Sequence, residues 1–181
     1  MLSEDIIKQS ERNFQYYLND SLIKKIKVFD KNIVDILLKN AQESIDLAEI
    51  SKNNNISSMW CIVCSYYSMF YVANCLLYVY GYKVGDKIAH KVTSDSLIYL
   101  MRDKLKKYLL ENYKEIENDA ESFAQIKSEN LIESLNFERE KRSKVQYQTP
   151  DNIKLSKAET SLKRAKEFLY ELRGLIEEKI N

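Results

Sequence analysis

Residues 57–80 read SSMWCIVCSYYSMFYVANCLLYVY, and no charged residue falls anywhere between Asn53 and Tyr82. The run has no Gly or Pro and no strict apolar–polar alternation, so it reads as a helix and not as strands. A helix that is apolar on every side must be covered on every side, at the centre of a bundle or in a subunit interface. It is long enough to span a bilayer. However, Ser65, Tyr66, Tyr67, Ser68, Tyr71 and Asn74 occupy its middle, whereas membrane tyrosines gather at the two interfaces. The expectation is the buried central helix of a bundle, with no membrane span.

The neighbouring segments supply the cover. Val34, Leu38, Ala41, Ile45 and Ala48 recur at spacings of four and three, one face of a helix that ends at Asn53-Asn54-Asn55. The central helix stops at Gly81, and a loop to Lys91 holds Gly85 and His90. Thr93, Ser94 or Asp95 is the expected cap of a helix carrying Leu97, Met101, Leu105 and Tyr108. A further helix is expected from about Glu115 to Gln146. Thr149-Pro150 then reads as a cap followed by proline at the first helical position. The last helix carries Leu155, Ala158, Leu162, Ala165, Leu169, Leu172 and Ile176, a narrow stripe suited to one or two neighbours. Residues 1–29 form an N-terminal arm, helical to about Asp20, and 30–181 form the bundle.

Composition agrees. The chain of 181 residues has 3 Gly and 1 Pro, too little turn punctuation for a many-stranded sandwich or barrel. The fold class expected is all-α, an up-and-down bundle of about five to six helices. With 28 Lys+Arg against 27 Asp+Glu the net charge is +1, which excludes a globally basic nucleic-acid binder while leaving room for a local phosphate patch. One His excludes a multi-His metal site. The cysteines, Cys61, Cys64 and Cys75, are odd in number and lie within about 60° of one another on the central helix, as small packing residues do. Cys61-x-x-Cys64 lacks a second pair and an adjacent His, so neither a disulfide framework nor a metal site is expected. Thiols left unpaired suit a reducing cytoplasm, and Met1–Ser10 is too polar and acidic for a secretory signal.

Two groups of residues carry possible chemistry. On the central helix Tyr67, Tyr71, Asn74 and Tyr78 form one stripe. It is either an amphipathic helix–helix seam, a polar network between subunits, or the floor of a nucleotide-sized groove. Later, Leu131, Leu135, Glu138, Arg142 and Val145 lie within about 80° of one face, so Arg142 extends an apolar stripe. Glu138 precedes it by four, the favourable order for an intrahelical pair. Arg139, Lys141, Arg142 and Lys144 make four basic residues in six, suited to phosphate contacts without base readout.

Trp60 to Leu77 (WCIVCSYYSMFYVANCLL), then Gly81-Tyr82, Lys87-Ile88-Ala89-His90-Lys91 and Arg142-Ser143-Lys144-Val145-Gln146-Tyr147, together resemble the HEPN family (higher eukaryotes and prokaryotes nucleotide-binding). The resemblance runs from about Asp30 to Lys179 and points to the small prokaryotic branch. It implies a helical homodimer, often paired with a minimal nucleotidyltransferase in toxin–antitoxin or defence modules. Many members are metal-independent ribonucleases needing no cofactor, with an Arg followed after four to six residues by a His. Here Arg142 matches the arginine, and Tyr147 stands where the shortest form would have its His. The strict motif is therefore absent, and with it a group of pKa near 7 at that place. Tyrosine, with a pKa of about 10, is a poor base at neutral pH.

The resemblance thus implies action on RNA, as a ribonuclease or as an RNA-binding derivative. Arg142 would contact phosphate, Tyr147 would be the second polar group and Glu138 would orient Arg142. The alternative is a non-enzymatic helical adaptor for a nucleotide or a nucleotidyltransferase, with Tyr147 open to adenylylation. His90 is assigned to ordering its loop.

Overall fold

A computed structural model describes residues 2–124 and 151–180 of the chain. These form six helices and two short strands: α1 (Glu4–Asn19), β1 (Ile23–Lys25), α2 (Lys31–Asn53), α3 (Ser58–Val79), β2 (Tyr82–Val84), α4 (Ala89–Met101), α5 (Lys107–Ala124) and α6 (Asp151–Ile180). The expected all-α bundle is what the chain adopts.

The apolar run becomes α3, and its sequence sets both ends. Ser57 accepts a hydrogen bond from the Trp60 amide at 3.2 Å, capping the first turn. At the other end Gly81 takes φ +94°, where an L side chain would be strained. Thirteen of its residues, from Cys61 to Tyr78, are buried. The helix packs chiefly against α2 and α6, then against α5 and α4. Among the described residues α3 alone is long and apolar enough to cross a membrane, and 67% of its apolar window is buried in the bundle. It is the core helix.

Its neighbours present the stripes that periodicity predicts. Val34, Ala41, Ile45 and Ala48 of α2 are buried, as are Ala158, Leu162, Ala165, Leu169, Leu172 and Ile176 of α6. Small side chains at Ala41, Ala48, Ala158 and Ala165 let the axes approach α3 closely. Leu155 departs from the pattern at 44% exposure, while Ser161 and Phe168 join the buried face and widen it.

Two expectations fail. The helix expected to run through Leu97, Met101, Leu105 and Tyr108 is two helices, because the chain turns after Met101 and restarts at Lys107. The Lys104 and Leu105 amides both reach the Met101 carbonyl, at 3.0 and 2.8 Å, so a tight turn keeps helical hydrogen bonding while changing direction. Glu115 consequently lies inside α5 instead of opening a helix. Nor do Thr93, Ser94 or Asp95 cap a helix. α4 already starts at Ala89, preceded by Ile88 in the left-handed region (φ 45°), and the three side chains serve tertiary contacts.

The arm is built onto the bundle. α1 packs on α4, and Phe14, Tyr17, Ile23 and Val92 share a second small core. Three arm side chains converge on Asp95: Ser10 Oγ at 3.2 Å, Asn13 Nδ2 at 2.8 Å and Tyr17 Oη at 2.7 Å. β1 pairs antiparallel with β2, Ile23 opposite Val84 and Lys25 opposite Tyr82. The Gly85 amide extends the ladder to the Leu22 carbonyl at 2.8 Å. This small ladder fixes the segment that leads into His90.

Candidate functional site

His90 lies in the first turn of α4 and leans on α3. Its Nδ1 is 2.9 Å from the Tyr66 hydroxyl. The Phe70 ring stacks on the imidazole at a centroid distance of 4.3 Å, and Tyr67 meets it edge-on at 5.7 Å. Burial among these rings pushes the His90 pKa below its usual value, while the negative charge of Glu117 opposes the shift.

Behind Tyr66 lies a buried acid. Glu117 of α5 is only 4% exposed, and it accepts from the Tyr66 hydroxyl at 3.2 Å, from Ser94 at 3.0 Å and from Lys114 at 2.7 Å. Lys114 also donates to Ser94 at 3.0 Å. A buried carboxylate is tolerable only with such partners. Desolvation, and then the neighbouring Tyr113 and Glu117, hold the Tyr66 hydroxyl far above the ordinary tyrosine range, so it acts as a hydrogen-bonding relay and stays protonated. The result is a connected line of polar groups, His90–Tyr66–Glu117–Lys114, running from α4 through α3 to α5.

In front of His90 is a groove of about 370 Å³, bounded by Phe70, Tyr71, Asn74 and Tyr78 of α3, Ile33 and Leu37 of α2, the segment from Lys83 to Asp86, and Ala89 and His90 of α4. The volume lies within the range of small-ligand pockets. Two of its polar groups are already engaged. Asn74 Nδ2 donates to the Phe70 carbonyl at 2.9 Å and its Oδ1 accepts from Thr93 at 3.2 Å. The Tyr78 hydroxyl accepts from the Asp30 amide at 3.0 Å, next to the α2 cap. Lys83 and Asp86 supply a charge of each sign at the rim.

Of the residues singled out from sequence, Tyr71, Asn74 and His90 therefore meet at one groove, with Tyr67 against both Tyr71 and His90. Arg142, Tyr147, Glu138, Arg139, Lys141 and Lys144 lie outside the described residues. Sequence reading missed Tyr66, Ser94, Lys114 and Glu117. One signal was present for the last: Glu117 sits on the face marked by Leu110, Tyr113, Ile116 and Ala120, an acid within an apolar stripe.

The cysteines take the packing role. All three are free; burial pushes Cys61 up to about 11 and Cys75 up to about 12, so both stay as thiols at neutral pH. Among the described residues no three His, Cys, Asp or Glu side chains stand close enough to hold a metal ion. No family model, no curated protein and no solved structure matches the chain.

Proposed function

We propose that the chain binds RNA or a nucleotide through the groove beside His90, as a cytoplasmic helical protein of the HEPN kind. The observation that carries this reading is the convergence of Tyr71, Asn74 and His90 on one groove of about 370 Å³ with Lys83 at its rim. Phe70 and Tyr71 offer aromatic faces, and base stacking on such faces is worth about 1–3 kcal/mol per base. Lys83 suits a phosphate, which positions without reading sequence. A chain of net charge +1 gains little from general electrostatic attraction, so a built groove must supply the affinity.

The resemblance adds ribonuclease action to this reading, with Arg142 at the phosphate, Glu138 orienting it and Tyr147 beside it. A homodimer belongs to the same proposal. Leu47, Ile50, Ile56 and Trp60 expose apolar side chains around the α2–α3 turn, Trp60 at 53%, and such surface suits an interface.

The test is fluorescence anisotropy with a labelled single-stranded RNA in EDTA. Tyr71→Ala is expected to weaken binding about tenfold, the loss of one stacked base. Unchanged affinity would remove the groove from RNA binding. Cleavage is followed in parallel with Arg142→Ala, and equal cleavage by both proteins would end the role given to Arg142.

A further inference from the structure

The polar line behind the groove fixes where one proton sits. The Glu117 carboxylate, ion-paired with the Lys114 ammonium at 2.7 Å, accepts hydrogen bonds and does not donate. The 3.2 Å contact between Tyr66 and Glu117 therefore uses the only hydrogen on that hydroxyl. Toward His90 the same hydroxyl can offer only a lone pair, so the 2.9 Å contact requires the hydrogen to be on Nδ1. A neutral imidazole carries a single N–H, which leaves Nε2 as a bare acceptor. Burial under Phe70 and Tyr67 favours that neutral form. No described residue hydrogen-bonds Nε2, and His90 lines the groove.

A phosphate needs donors, and a neutral imidazole with its N–H turned inward gives it none at Nε2. A base presents the opposite chemistry: a flat face for Phe70 or Tyr71, and an amino or imino N–H on its edge. We infer that the groove recognises a nucleobase by its donor edge, with His90 Nε2 as the fixed acceptor. The inference rests on the nucleotide-binding reading above and names what that site reads. Ionisable groups around the imidazole come from three elements: Tyr66 and Tyr67 of α3, Glu117 and Lys114 of α5, and Lys83 of β2 with Asp86 just after it. Protonation of His90 would replace the acceptor by a donor, so base binding is lost as the imidazole charges.

Because the chain has one histidine, untagged protein labelled with ¹⁵N in histidine gives a single pair of ring-nitrogen signals. At neutral pH the expected result is a protonated Nδ1 and a bare Nε2. Adenosine should shift the Nε2 signal, whereas N6,N6-dimethyladenosine, which lacks the donor, and inorganic phosphate should leave it in place. By calorimetry His90→Phe, which keeps a ring, should bind adenosine about fivefold more weakly, one hydrogen bond's worth. A protonated Nε2 in the free protein overturns the inference. So does an Nε2 signal that saturating adenosine, cytidine and guanosine all leave unmoved. If RNA then still binds with its dependence on Tyr71, the groove remains an RNA site and only base reading by His90 falls. If neither RNA nor any nucleoside binds, both readings fall.

Discussion

The Tyr66 hydroxyl and His90 Nδ1, 24 residues apart in sequence, meet at 2.9 Å where α3 packs on α4. The same hydroxyl reaches Glu117 of α5 at 3.2 Å, so one oxygen joins three helices. Removing it strips a donor from a buried acid and an acceptor from a half-buried imidazole. Tyr66→Phe should therefore cost about 1–3 kcal/mol, well beyond the loss of one exposed hydrogen bond. Urea unfolding followed by circular dichroism checks this; a midpoint equal to that of the parent would mean the line carries no stability.

Glu117→Ala asks the complementary question. Ser94 and Tyr66 lose their acceptor, and Lys114 loses its ion pair at 2.7 Å. The Lys114 side chain is 38% exposed, so it can turn to water. The expected cost is accordingly about 3 kcal/mol, the lower end for a broken buried pair. The double variant with Lys114→Met should recover part of it, since no unpaired ammonium remains.

The lowered pKa of His90 gives stability a sign with pH. Free imidazole titrates near about 6.5. Below that value the unfolded chain binds a proton that the folded chain resists, so this contribution is full above pH 6.5 or so and fades as pH falls through the folded value. Glu121, whose carboxyl is raised by burial and then by Glu117, works in the opposite sense, but equally with or without the imidazole. The free-energy difference between the parent and His90→Gln should thus shrink as the pH is lowered. A difference independent of pH would contradict the burial of a neutral His90.

Three glycines should answer differently to alanine. Gly81 has open space for a Cβ but φ +94°, so Gly81→Ala should destabilise by about 1–2 kcal/mol through backbone strain alone. At Gly85 a Cβ would meet the Leu22 carbonyl oxygen at 3.1 Å, so the ladder must yield. Gly174 is helical with nothing within 4 Å of a Cβ, and Gly174→Ala should stabilise by about 0.5–1 kcal/mol. Thermal unfolding of the three variants should rank them accordingly.

Much of the scaffold was legible in sequence because burial writes itself as period. The charge-free run became α3, and the stripes of α2 and α6 became its cover. The break after Met101 was hidden for a physical reason. Leu105 sits in the turn yet is only 5% exposed, so the apolar rhythm continued while the backbone changed course. Thr93, Ser94 and Asp95 misled as caps because their side chains answer to partners from α3, α5 and α1, which no local rule reports. Tyr71 and Asn74 were singled out by helical phase, and His90 only as a residue that orders its loop. Their meeting at a groove depends on Lys83–Asp86 closing one side, a product of strand pairing across about 60 residues, from Ile23 to Val84. Glu117 needed its unlike neighbours to be weighed, an acid where only apolar residues belong.

Asp95 gathers Ser10, Asn13 and Tyr17 from segments 78 to 85 residues earlier in the chain. During synthesis the arm emerges before α4, and its anchor is made only when α4 has followed it. A helix of 16 residues is marginal in water on its own. Docking of the arm is therefore a late event, and a nascent chain halted short of α4 would carry an unanchored amphipathic segment that a chaperone or protease can seize.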